Sequence, residues 1–168
     1  MFSLAEIAER AALPIERLRY IIDSRILPGR RHLKPGGDAS SPGRGIPRAF
    51  TPDEAFALVV VVLMLQGGIR RRVVQDCLDL LTDSLVHNSR RYRDIMWIQV
   101  VYDETVVALE IGDDLNIRLV SKEGPLKRKG GLELPRTWIQ PKTRATIENY
   151  DPLLLVRINL ARIRNHFR

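Results

Sequence analysis

Ser3-Leu4-Ala5-Glu6-Ile7-Ala8-Glu9-Arg10-Ala11-Ala12-Leu13-Pro14-Ile15-Glu16-Arg17-Leu18-Arg19-Tyr20-Ile21-Ile22 decides how the chain is read. Ser3 and Glu6 form a capping box, in which the serine oxygen takes the Glu6 amide and the carboxylate reaches back. Leu4, Ile7, Ala8 and Ala11 fall on one helical face, which predicts a first helix over residues 4–11. A turn is expected at Ala12-Leu13. Pro14 suits the first turn of a second helix, where the N–H it lacks would have no partner. Ile15, Leu18, Ile21 and Ile22 form that helix's apolar stripe, while Glu16, Arg17, Arg19 and Tyr20 lie off it or at its edge. The helix is expected to end near Ser24, with Ile26-Leu27 extended.

Residues 28–47 read as a loop, rich in Gly (Gly29, Gly36, Gly37, Gly43, Gly45) and Pro. Between Arg25 and Arg48 there are six cations, Arg25, Arg30, Arg31, Lys34, Arg44 and Arg48, against one acid, Asp38. Thr51-Pro52-Asp53-Glu54 then starts a third helix with a Thr cap, Pro at the first position and acids in the first turn. It should run to Gln66 and stop at Gly67-Gly68. A fourth helix begins near Ile69, carries Val73, Val74, Cys77, Leu78, Leu81 and Leu85 on one face, and ends between Val86 and Ser89. Arg70-Arg71-Arg72 opens it, where the helix dipole disfavours cations and hints at an anionic partner.

After Asp94 the period changes to two. Ile98, Val100 and Tyr102 alternate with Gln99, Val101 and Asp103, and Val107, Leu109, Ile111 and then Leu115, Ile117, Leu119 repeat the pattern. Asp103-Glu104 and Gly112-Asp113-Asp114 read as turns between these strands. Further strands are expected within residues 132–141 and 153–160, then a short helical end over 161–168. The expected fold class is α+β: a mostly α winged helix-turn-helix over residues 1–93, whose helices bury their own stripes, followed by a small antiparallel β-rich domain over 94–168.

The 168 residues carry a net charge of +7 and a 45% hydrophobic content, which suits a folded core and an anionic partner. The excess charge is shared, net +4 over residues 1–95 and net +3 over 96–168. Cys77 has no second cysteine to pair with and reads as a packing residue. The apolar run from Phe56 to Leu65 is too short to span a bilayer. With no signal peptide in evidence, a cytoplasmic location is expected and no membrane contact. His32, His87 and His166 are scattered, without partners at ligand spacing, so neither a metal nor another cofactor is expected, and no catalytic residue is assigned. Trp97 and Trp138 read as core, and Lys127-Arg128-Lys129-Gly130-Gly131 as a basic loop tip.

Leu18-Arg19-Tyr20, Arg48-Ala49-Phe50, Thr51 to Glu54 and Gly68-Ile69, in that order, resemble the DNA-binding domain of the MerR family of transcription regulators. The resemblance covers about residues 3–85. It implies sequence-specific binding of double-stranded DNA by a regulator or an accessory factor in a DNA transaction. The second helix would enter the major groove with Pro14, Glu16 and Arg17 near base edges. Arg19 and Tyr20 would touch phosphate, and Arg30, Arg31, Lys34, Arg44 and Arg48 would lie on the flanking backbone as a wing. The loop here is longer than the family's usual wing. The long helix through which that family often dimerises is replaced by strands, so a homodimer is expected through the β-rich part, whose strand edges are free to pair. The other class in view is a protein–protein adaptor, with the β-rich part as its surface for a protein partner.

Overall fold

The computed structural model describes residues 1–24, 26, 49–83, 104, 106–122, 138–143 and 145–168. Among these, the chain runs β1 (Phe2–Ser3), α1 (Leu4–Ala11), α2 (Ile15–Asp23), β2 (Ala49–Phe50), α3 (Pro52–Gln66), α4 (Arg71–Asp83), β3 (Val106–Gly112), β4 (Ile117–Ser121), β5 (Trp138–Ile139), β6 (Thr146–Ile147), β7 (Leu155–Asn159) and α5 (Leu160–Asn165). The fold is mixed α+β with two antiparallel sheets. No helix among the described residues is long and apolar enough to cross a membrane. The expected strand over 98–102, the end of α4 beyond Asp83, the position of Trp97 and the basic tip at 127–131 lie outside the described residues.

Helix α3 is the spine. Every residue from Ala55 to Val62 is at most 8% exposed. A helix that is apolar around its whole circumference has to be enclosed. The run Val59-Val60-Val61-Val62 is β-branched and a poor helix former by itself. Two things make it helical: a capping box at its start, and packing on every side. In the box Glu54 N donates to Thr51 Oγ1 at 3.2 Å, and Thr51 N donates to Glu54 Oε2 at 2.9 Å. The packing comes from α1, α2 and α4, and also from α5 and β7. The helices of residues 1–83 therefore do not close α3 by themselves, and one apolar cluster runs from Ile7 to Phe167.

The starts of α1 and α3 are pinned side by side. β1 pairs antiparallel with β2, Phe2 opposite Phe50 and Ser3 opposite Ala49, so the two capping boxes hang from one short ribbon. At α1 the box is complete as expected, with Glu6 N on Ser3 Oγ at 3.2 Å and Ser3 N on Glu6 Oε2 at 2.6 Å. The Ser3 amide holds the Glu6 carboxyl below its ordinary pKa. That stabilisation is present above the ordinary glutamate range and is lost as the pH falls through the lowered value. The C-terminus closes over the same ribbon. Phe167 meets Phe2 edge-on at 5.4 Å, and Arg10, stacked 4.8 Å over Phe2, donates to the His166 carbonyl at 2.9 Å.

The larger sheet has the order β6-β5-β4-β3-β7. Leu109, Ile111, Ile117, Leu119 and Ile158 face the core cluster. A bulge between Val106 and Ala108 swings Val106 to the same side, which strict alternation assigned to Val107. Leu115, expected on a strand, sits instead in the turn at φ +62°, its amide bonded to the Gly112 carbonyl at 2.9 Å. β4 therefore begins at Ile117. The strand expected to reach Leu160 stops at Asn159, whose side-chain oxygen accepts the Arg162 amide at 2.8 Å and starts α5. Of the strand expected within 132–141, the described part is Trp138–Ile139.

The opposite face of the sheet is organised around a buried acid. Glu110 is 2% exposed, and the register sets Arg118 on one side and Arg157 on the other. Arg118 Nε lies 2.6 Å from Oε2 and Arg157 Nη1 3.1 Å from Oε1. Arg118 also stacks 4.6 Å over Trp138, which is 5% exposed and meets Tyr150 edge-on at 4.9 Å. The Tyr150 hydroxyl accepts the Asp114 amide and donates to Asp113 Oδ1, both at 3.0 Å. A Cβ at Gly112 would lie 2.3 Å from that hydroxyl, so this approach requires glycine.

Two stability outcomes follow from these local geometries. Ala12 ends α1 in the left-handed region at φ 52°, with its amide and that of Leu13 turned back to Glu9 and Ala8. A Cβ is unfavourable there, so Ala12→Gly should raise the stability by about 1 kcal/mol in chemical denaturation. A decrease would mean the turn relaxes in solution. Glu110→Ala leaves two half-exposed guanidinium groups without their carboxylate and should cost about 2 kcal/mol in the same measurement.

Candidate nucleic-acid interface

Helix α2 is held by one face and free on the other. Leu18, Ile21 and Ile22 are buried against the α3 spine. Pro14, Glu16, Arg17 and Arg19 are exposed, and so is Tyr20 at 51%. This division follows from the sequence stripe, because side chains three and four apart share a helix face. Pro14 is the residue before the first helical turn and not within it, at φ −61° and ψ 130°. It fixes the entry of the chain into α2 without a side-chain cap.

Five of the ten residues singled out from the sequence thus sit together, Glu16, Arg17, Arg19 and Tyr20 on α2 and Pro14 immediately before it. The other five, Arg30, Arg31, Lys34, Arg44 and Arg48, lie outside the described residues. Their segment leaves from the C-terminal end of α2 and re-enters at β2, whose partner β1 leads into α1. α2 itself carries Glu16 and Asp23 against Arg17 and Arg19, and is therefore neutral.

The arginine triplet is explained in part by this same helix. α4 has no acidic residue in its first turn, so its N-terminal dipole is opposed by Arg70, Arg71 and Arg72. α2 has no basic residue in its last turn, so its C-terminal carbonyls lack a cation of their own. Arg71 crosses between them, and its Nη2 donates to the Ser24 carbonyl at 2.6 Å. Arg70 and Arg72 stay exposed on either side of it. Sequence reasoning singled out the triplet but could not find the carbonyl, because that contact joins residues 47 positions apart.

A groove of about 350 Å³ runs beside α2. Ser3 lines it from β1, Leu4 and Ala5 from α1, Arg19, Ile22 and Asp23 from α2, and Phe50 from β2. Sequence reasoning missed it, since it arises only when β1 and β2 pair. Cys77 is buried, and burial pushes its thiol up to about 12, which keeps it protonated and unreactive. Compared with models of known protein families, with curated proteins and with solved structures, the chain finds no match.

Arg71→Met should loosen the end of α2 and leave α4 in place. The expected readout is faster amide exchange at Ile22, Ser24 and Ile26, at a cost of about 1 kcal/mol. Unchanged exchange there would mean the guanidinium does not hold the helix end.

Proposed function

We propose that the chain binds double-stranded DNA through a winged helix-turn-helix of the MerR type, as a transcription regulator or a DNA-transaction factor, and that it works as a homodimer. The observation that carries the reading is the exposed face of α2, where Pro14, Glu16, Arg17, Arg19 and Tyr20 stand clear of the core while Leu18, Ile21 and Ile22 anchor the helix. A helix presented in this way fits the major groove, with Pro14, Glu16 and Arg17 toward base edges and Arg19 and Tyr20 toward phosphate. Arg17 and Arg19 on this face are two of the four arginines that a DNA surface calls for; the other two, Arg31 and Arg48, lie outside the described residues. Because α2 is neutral, affinity has to come from its neighbours: Arg70 and Arg72, and the wing with Arg30, Arg31, Lys34, Arg44 and Arg48. The reading assigns no catalytic step.

Duplex affinity should fall steeply with salt. If each protomer neutralises about four phosphates, log K against log salt should have a slope near ~−3.6 per protomer. Arg17→Ala should reduce discrimination between sequences by about 1–3 kcal/mol, whereas Arg31→Ala should weaken all duplexes alike. Absence of binding at low salt contradicts the reading. Equal and sequence-independent losses in both variants would move Arg17 to the backbone.

A further inference from the structure

The described residues expose five large apolar side chains, and three of them are consecutive: Leu153 at 92%, Leu154 at 73% and Leu155 at 46%. They lie where the chain bends into β7, and among the described residues β7 is an edge of the larger sheet, with β3 as its neighbour. The other edge, β6, is two residues long. An edge that combines unpaired backbone with exposed leucines is a template for another strand.

We propose that residues 151–157 form the homodimer surface, the segment that leads into β7 pairing antiparallel with the same segment of a second copy across a two-fold axis at Leu154. A two-fold contact must be self-complementary, and this segment is. With the axis at Leu154, Leu153 of each copy stands opposite Leu155 of the other, and Leu154 stands opposite itself. Leu153 and Leu155 of both copies then share one face of the joined ribbon, and the two Leu154 side chains meet on the other. The same register sets Asp151 of each copy opposite Arg157 of the other, so opposite charges flank the leucines at both ends. Asp151 and Arg157 are both exposed. Arg157 contacts Glu110 through Nη1, and a guanidinium has five donors, so it can serve both carboxylates. Pairing straightens the bend at residues 153–154 and joins two five-stranded sheets into one. The proposal rests on the homodimer of the reading above and is independent of its DNA.

The test uses the full chain. Sedimentation should give a mass of two chains for the wild type and one for Leu154→Arg, with unchanged circular dichroism because the side chain is exposed. Leu154→Cys should become a disulfide-linked dimer with oxidised glutathione, since the axis brings the two thiols together and the buried Cys77 does not compete. Ile147→Cys, at the opposite edge, should not. A monomeric wild type, a dimeric Leu154→Arg variant, or equal cross-linking at both edges would overturn the surface. Duplex binding by the same samples separates the two claims: a dimer that binds no DNA supports the surface and sinks the DNA reading, whereas a monomer that binds DNA does the reverse.

Discussion

The enclosure of α3 is the constraint on which the other elements depend. Each valine or leucine buried there contributes about 1.5–3 kcal/mol, so leaving one side of the helix in water would remove a large part of a small protein's stability. The helix can be covered only if α1 and α2 close one side while α5 and β7 close another. The face of α2 turned to solvent is therefore set by the residues that α3 buries. The contact of Phe167 with Phe2, and of Arg10 with the His166 carbonyl, ties the last residues of the chain to the first. The helical part and the sheet thus share one apolar cluster.

The helices were legible because their signals are local. Ser3 with Glu6, Thr51 with Glu54, and the stop at Gly67 are decided within a few residues, and α1 and α3 begin and end where those signals stand. Gly67 also lies close to β7, where a Cβ would come within 3.0 Å of Val156 Cγ1. The sheet was less legible because its geometry depends on partners. Nothing near Val107 announces a bulge, and Leu115 looks like a strand residue until its amide is seen bonded to Gly112. The Glu110 centre left a trace that could have been read: Arg118 stands at the mirror position across the hairpin turn. Arg157 left none, since its strand is far off in sequence.

For the candidate interface the same distinction holds. The exposed residues of α2 follow directly from the period of Leu18, Ile21 and Ile22. The Arg71 contact with Ser24 and the groove beside Phe50 do not, because both need tertiary pairing first. The electrostatics also divide. α2 is neutral and can contribute shape and selective contacts, while the positive charge lies in the segments that flank it. Under the proposed DNA reading that division would separate discrimination from affinity, since phosphate contacts position a protein on a duplex and base contacts specify where.

Selection of bound sequences from a random duplex library, using the full-length protein, tests the central claim most directly. Binding through the exposed face of α2 by a two-fold dimer predicts enrichment of a short motif repeated with inverted symmetry, and its loss when Arg17 is replaced by alanine. A recovered pool indistinguishable from the starting library would contradict it.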